Sequence, residues 1–188
     1  MPKRRVLIAF ALLAVCFAAW PLHATVLLPA EFREIVHGSQ VIVHGTVVDV
    51  RSTWTGDRLR IETVVTLEAA SYLKGGPGER VTFRVPGGTI GRYRALMVGA
   101  PEFRAGDEVV LFLRADGPAV AHVFGLNQGV FRIRRELRSG RRVVVPPALL
   151  AAADAPQPVA RGSAARQLVP LDAFRAQVRA ALGEGSVR

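Results

Sequence analysis

The side chains nearest to catalytic chemistry in this chain are His37, His44, His122, Asp49, Glu62 and Glu68. Two carboxylates flanking a substrate can serve as acid and base, and histidines at a fixed spacing can hold a metal. Neither pattern forms along the sequence. His37 and His44 stand seven apart across a helix-to-strand break, which is not the i, i+4 spacing of a helical zinc pair. Nor are they two apart on one strand face, and His122 sits alone in a strand. Ser39, Ser52, Ser71, Ser139, Ser163 and Ser186 include no Gly-x-Ser-x-Gly elbow, the sharp turn that presents a nucleophilic serine. No catalytic residue, metal ligand or cofactor site is therefore assigned. An envelope hydrolase is the alternative, and it requires three or more of the six acid–base residues to converge in one cleft.

Two further stretches could bind rather than react. Val85-Pro-Gly-Gly-Thr-Ile-Gly91 is glycine-rich but lacks a Gly-Lys-Ser/Thr ending and leads into a strand. No helix dipole would face an anion there. Gly87, Gly88 and Gly91, with Gly106 further on, are read as turn residues that permit positive φ. Arg132 to Arg142 holds six arginines in eleven residues. Phe131 and Ile133 point one way and Arg132 and Arg134 the other, and Ser139-Gly140 turns the chain back. This predicts a hairpin with a basic outer face, on which Arg132, Arg134, Arg138, Arg141 and Arg142 form a weak anion-binding patch. The absence of aromatics among these arginines argues against a single-stranded nucleic acid.

The elements that must position these residues are mostly strands. Leu28 to Gly38 reads as a short helix, with Pro29 in its first turn and Phe32, Ile35 and Val36 on one face. Val41 to Val50 is dense in β-branched residues, which suit a pleated sheet. Thr53 to Arg58 reads as a turn, and Leu59 to Leu73 as a long strand. Arg80 to Val85 alternates, Pro86 to Gly91 breaks the pattern, and Ala95 to Val98 is a short candidate strand. Glu108 to Leu113 is nearly all apolar, as in a strand covered on both faces. Ala119–Phe124, Gly129–Arg134 and Arg142–Val145 complete the set. Seven or eight strands separated by Gly/Pro turns predict a mainly β chain, an OB-like closed barrel or a sandwich, because closure removes exposed edges. Residues 147–170 read as a flexible Ala/Pro-rich linker. Leu171 to Leu182 is a helix capped by Asp172, and its stripe Phe174, Val178, Leu182 docks on the barrel. No internal repeat is visible.

The amino terminus supplies an address. Met1-Pro-Lys-Arg-Arg precedes fifteen uncharged residues, Val6 to Trp20, followed by Pro21 and Ala24. This is the layout of a signal peptide spanning residues 1–24, cleaved after Ala24. An uncleaved anchor needs roughly 20 apolar residues, and Pro21 and His23 interrupt the run first. Val15 before Cys16 stands where a lipoprotein signal needs a small residue. Cys16 is the single cysteine, so cleavage leaves no thiol for a disulfide or metal site. The remainder, 25–146 plus the linker and helix, is one domain's length. The net charge is +10, carried by 23 arginines against two lysines. A basic balance suits anionic partners, although abundant Ala, Gly and Val beside so much Arg also follow from GC-rich coding.

The motifs Val41-Ile-Val-His-Gly-Thr-Val, Tyr72-Leu-Lys-Gly and Pro86-Gly-Gly-Thr-Ile-Gly91 resemble a family of uncharacterised bacterial exported β-domain proteins. Gly99-Ala-Pro-Glu-Phe-Arg-Ala-Gly-Asp-Glu-Val-Val-Leu-Phe-Leu113 and Gly125-Leu-Asn-Gln-Gly-Val-Phe131 are similar to the same pattern. The resemblance spans residues 28 to 146 with the terminal helix and implies no assigned activity. A helix entering such a strand, then a long strand ending in Leu-Lys-Gly, is also similar to the OB-like barrel of the tissue inhibitors of metalloproteinases. Those inhibitors are held by disulfides and use an amino-terminal cysteine on the protease zinc, so the resemblance implies the barrel shape alone. The function expected is that of an exported, periplasmic or extracellular, non-enzymatic monomer. It would bind or modulate another extracytoplasmic protein or an anionic polymer or lipid, without nucleic acid.

Overall fold

The computed structural model describes residues 29–56, 58–115, 121–137, 139–147 and 168–184. The expected signal segment with Ala24, most of the expected linker and Arg138 lie outside the described residues.

Helix α1 spans Phe32–Gly38, with Glu31 at its N-cap position and Pro29 before it, so proline precedes the helix rather than entering its first turn. Ile35 and Val36 are buried. The Ser39 hydroxyl donates to the Ile35 carbonyl at 2.7 Å, and the Lys74 ammonium donates to the carbonyls of Val36 and His37 at 3.3 and 3.1 Å. A cation on these orphan carbonyls matches the negative end of the helix.

Ten strands follow: β1 Val41–Trp54, β2 Ile61–Lys74, β3 Arg80–Pro86, β4 Gly88–Ile90, β5 Tyr93–Ala95, β6 Glu108–Arg114, β7 Ala121–Val123, β8 Val130–Arg135, β9 Arg142–Val145 and β10 Val169–Pro170. Helix α2, Leu171–Glu184, ends the described chain and holds Asp172 inside its first turn rather than at its cap. The order β1-β2-β3-β7-β6 closes by pairing β6 back onto β1, and β3 runs parallel to β7. This five-strand closed barrel has an OB-like strand order. The second edge of β6 is shared: β7 pairs at Leu113 and Arg114, β8 at Val109 to Leu111. From β8 the sheet therefore continues outward as β8-β9-β10.

The pattern reading met the structure closely in β2, β3, β6 and β9. It differs at the three-residue strands β4 and β5, too short to show a period, and at the end of β1. The break at 86–91 contains β4, the Ala95–Val98 candidate begins earlier as Tyr93–Ala95, and β1 runs through Trp54, leaving the turn at residues 55–60. Strand β10 pairs with β9 inside the segment read as linker.

Two cores lie on opposite faces of the barrel wall. Val43, Val47, Val65, Leu67, Phe83, Val109, Leu111 and Leu113 fill the interior, and Phe103 packs against Phe83 with ring centres 5.3 Å apart. Ile42, Val110, Phe112, Phe131, Ile133 and Val144 face outward and are covered by Ile35, Val36, Leu171, Phe174 and Val178 of the two helices. The unbroken apolar run of β6 follows from this: Val109, Leu111 and Leu113 point in, Val110 and Phe112 out. Register shifts at Ile42/Val43, His44/Gly45 and Val47/Asp49 bend β1 so that it pairs with β2 on one edge and β6 on the other.

Candidate functional site

The six acid–base residues do not converge. His37 is exposed on the last turn of α1, and His122 is exposed on β7. Asp49 pairs with Arg51 at 2.7 Å, Glu62 with Arg84 at 3.1 Å, and Glu68 is exposed on β2. Among the described residues, no three histidine, cysteine or carboxylate side chains are placed to hold a metal ion.

His44 alone is drawn inside, 3% exposed beneath α2. Its Nε2 lies 2.9 Å from Glu108 Oε1, and Arg175 Nη2 lies 2.8 Å from its Nδ1. Arginine can only donate, so Nδ1 accepts and the proton resides on Nε2, where it is given to Glu108. Arg175 also donates to the Ser71 hydroxyl at 3.0 Å, and Arg142 donates to Glu108 at 3.2 Å. A neutral ring held at both nitrogens has no free lone pair for a substrate or metal, so this cluster rivets α2 to β1, β2, β6 and β9. Its members come from five separate elements, which is why no local spacing announces it.

Burial pushes the His44 pKa below its ordinary value of 6.5; the Glu108 hydrogen bond works upward against it, and Arg175 pushes further down. The unfolded chain consequently takes up a proton at higher pH than the folded one. Stability contributed by neutral His44 is complete above about pH 6.5 and is lost as pH falls through the depressed folded value. Urea unfolding midpoints are expected to fall between about pH 7 and about pH 5, with a shallower slope in His44→Gln. An unchanged slope in that variant would assign the pH dependence to other groups.

The arginine hairpin is less available to a ligand than its composition suggests. Arg132 Nη1 lies 2.9 Å from Asp107, its guanidinium sits 5.6 Å over the Phe103 ring, and it donates to the Glu102 carbonyl. It is thus engaged by residues 102–107 instead of standing on an outer basic face, while Phe131 and Ile133 pack under the helices. Arg141 lies 3.8 Å from Glu136, and Arg142 3.2 Å from Glu108. Arg134 is exposed.

The glycine-rich turn has another role. Gly87, Gly88, Gly91 and Gly106 have φ of +92°, +139°, +55° and +90°. At Gly88 a Cβ would overlap the hydroxyls of Ser52 and Thr63, so both conformation and space demand glycine. That close approach lets Ser52 Oγ accept from the Thr89 amide at 3.1 Å and Thr63 donate to the Gly87 carbonyl at 2.8 Å. These bonds pin the β4–β5 hairpin onto the β1–β2 ribbon.

The pinning builds an apolar groove of about 400 Å³ lined by Trp54, Leu59, Ile61, Tyr93, Leu96 and Met97. Trp54 and Tyr93 meet edge-on at 5.5 Å. Val98 is 98% exposed, Leu59 78% and Leu96 74%. Arg60 and Arg94 line the groove, Arg92 lies 5.1 Å over the Tyr93 ring, and Arg58 precedes Leu59 in the chain; all four are exposed. None of the four has a carboxylate partner among the described residues, and Glu62, which also lines the groove, is held by Arg84. Sequence reasoning missed this surface because its halves come from two turns. The available signal was leucine, methionine and valine in turn segments beside arginines.

The fold is thus a filled OB-like barrel with one apolar, arginine-rimmed end and no converging acid–base set among the described residues. No family model, curated protein or solved structure matches the chain. Among the described residues, no helix is long and apolar enough to cross a membrane.

Proposed function

We propose that this chain is an exported, non-enzymatic binding protein that acts as a monomer through the arginine-rimmed end of its barrel. Its ligand is an anionic envelope component or a negatively charged surface of another extracytoplasmic protein. One observation carries the reading: exposed apolar side chains share a surface with Arg60 and Arg94, Arg92 lies over the Tyr93 ring of the same groove, Arg58 adjoins Leu59 in the chain, and none of the four has a carboxylate partner among the described residues. Desolvated apolar area favours association, and unmatched cations select an anionic partner. The packed barrel interior supports recognition on the outside, and the charged start with its apolar run supports export with cleavage after Ala24. Amino-terminal sequencing of protein recovered outside the cytoplasm tests the export, with Thr25 expected as the first residue and Met1 overturning it.

Inorganic polyphosphate is a suitable probe of the binding itself. Affinity is expected to fall roughly 50-fold between about 50 and about 200 mM salt, as displacement of about four counterions implies. Replacing Arg58, Arg60, Arg92 and Arg94 by serine should remove most of the binding. Replacing Arg138, Arg141 and Arg142 by serine should leave most of it, since Arg141 and Arg142 already face Glu136 and Glu108. The reverse pattern would return the anion site to the hairpin.

A further inference from the structure

We infer that the anionic partner is a lipid bilayer, and that this end of the barrel docks on it with Leu59, Leu96, Met97 and Val98 entering the interface. The inference rests on the binding reading above and deepens it. Three of these aliphatic side chains, Leu59, Leu96 and Val98, are at least 74% exposed, so even the two that line the groove present most of their surface outward. A soluble polyanion offers nothing apolar to cover such side chains, whereas the boundary between headgroups and acyl chains does. The arginines stand beside them in sequence: Arg58 and Arg60 bracket Leu59, and Arg92 and Arg94 bracket Tyr93 ahead of Leu96. Exposed aliphatic side chains, cations and a Trp54–Tyr93 pair on one surface are the three kinds of group that a bilayer interface takes up. The Ser52–Thr89 and Thr63–Gly87 hydrogen bonds hold the two turns together before contact, so little ordering is needed on docking.

The test is sedimentation with vesicles of phosphatidylcholine alone and of phosphatidylcholine with phosphatidylglycerol, run beside polyphosphate binding. Parent and variants are compared as the chain that starts at Thr25, because a retained apolar amino-terminal stretch would itself partition into vesicles. The parent is expected to prefer the phosphatidylglycerol vesicles in a salt-sensitive manner. Replacing Leu59, Leu96 and Val98 together by serine should lower vesicle partitioning at least about tenfold while leaving polyphosphate affinity within about twofold. These side chains are exposed, so the fold should survive, and an unchanged urea midpoint checks this. Equal vesicle binding by parent and apolar variant would overturn the inference. Polyphosphate binding without vesicle binding would overturn it too while leaving the binding function standing, and binding to neither would remove both.

Discussion

Gly45→Ala is expected to destabilise the protein by about 3 kcal/mol or more, at the upper end of the range for overpacking. Gly45 lies in β1 between β2 and β6, opposite Ala69 and Val109. A Cβ there would fall far inside van der Waals contact with the Glu68 carbonyl oxygen, and 3.0 Å from two carbons of the Leu67 side chain. A side chain could rotate away, but a ladder carbonyl cannot move without breaking the pairing that closes the barrel. Against a total stability of about 5–15 kcal/mol, such a loss is large. Urea unfolding measures it as a lower midpoint. Gly76→Ala is the control: a Cβ there meets nothing within 4 Å, and its effect should stay within about 0.5 kcal/mol. Equal midpoints for the two variants would mean that β1 and β2 are not this close at Gly45.

Phe131→Ala should cost about 3–5 kcal/mol, the usual loss when a large aromatic is deleted from a core. Phe131 is buried with ring centres of Phe112, Phe174 and Phe32 at 5.1, 4.8 and 6.1 Å. The tilted and edge-on geometry adds attraction beyond burial alone. These four rings join β6, β8 and both helices, so the cavity would open where α2 docks. Besides a lower unfolding midpoint, the variant should show faster proteolysis within Leu171–Glu184, because α2 loses the ring closest to Phe174. A loss confined to the global midpoint, with α2 as protected as in the parent, would show that the His44–Arg175 hydrogen bonds hold the helix by themselves.

Apolar patterning and the turn glycines determine, from sequence alone, the strands β2, β3, β6 and β9, the terminal helix and the mainly β class, while the choice of a closed barrel over a sandwich comes from the pairing of β6 with β1. The former are local properties: a period of two decides which face a residue takes, and Glu108 to Leu113 shows both faces covered without reference to any partner. Which residues meet across the fold is a different matter. His44 finds Glu108, Ser71, Arg142 and Arg175 through pairing of strands distant in sequence and the docking of a helix 131 positions away. Arg132 belongs to a basic run in sequence, yet Asp107 and Phe103 claim it because β8 pairs beside the start of β6. The same holds for the groove. Leu59 and Leu96 are ordinary turn residues until the glycine at 88 lets β4 approach Ser52 and Thr63 and brings the two turns to one end of the barrel. Period and turn chemistry specify faces, while partners are set by closure of the sheet, which no window of neighbouring residues contains.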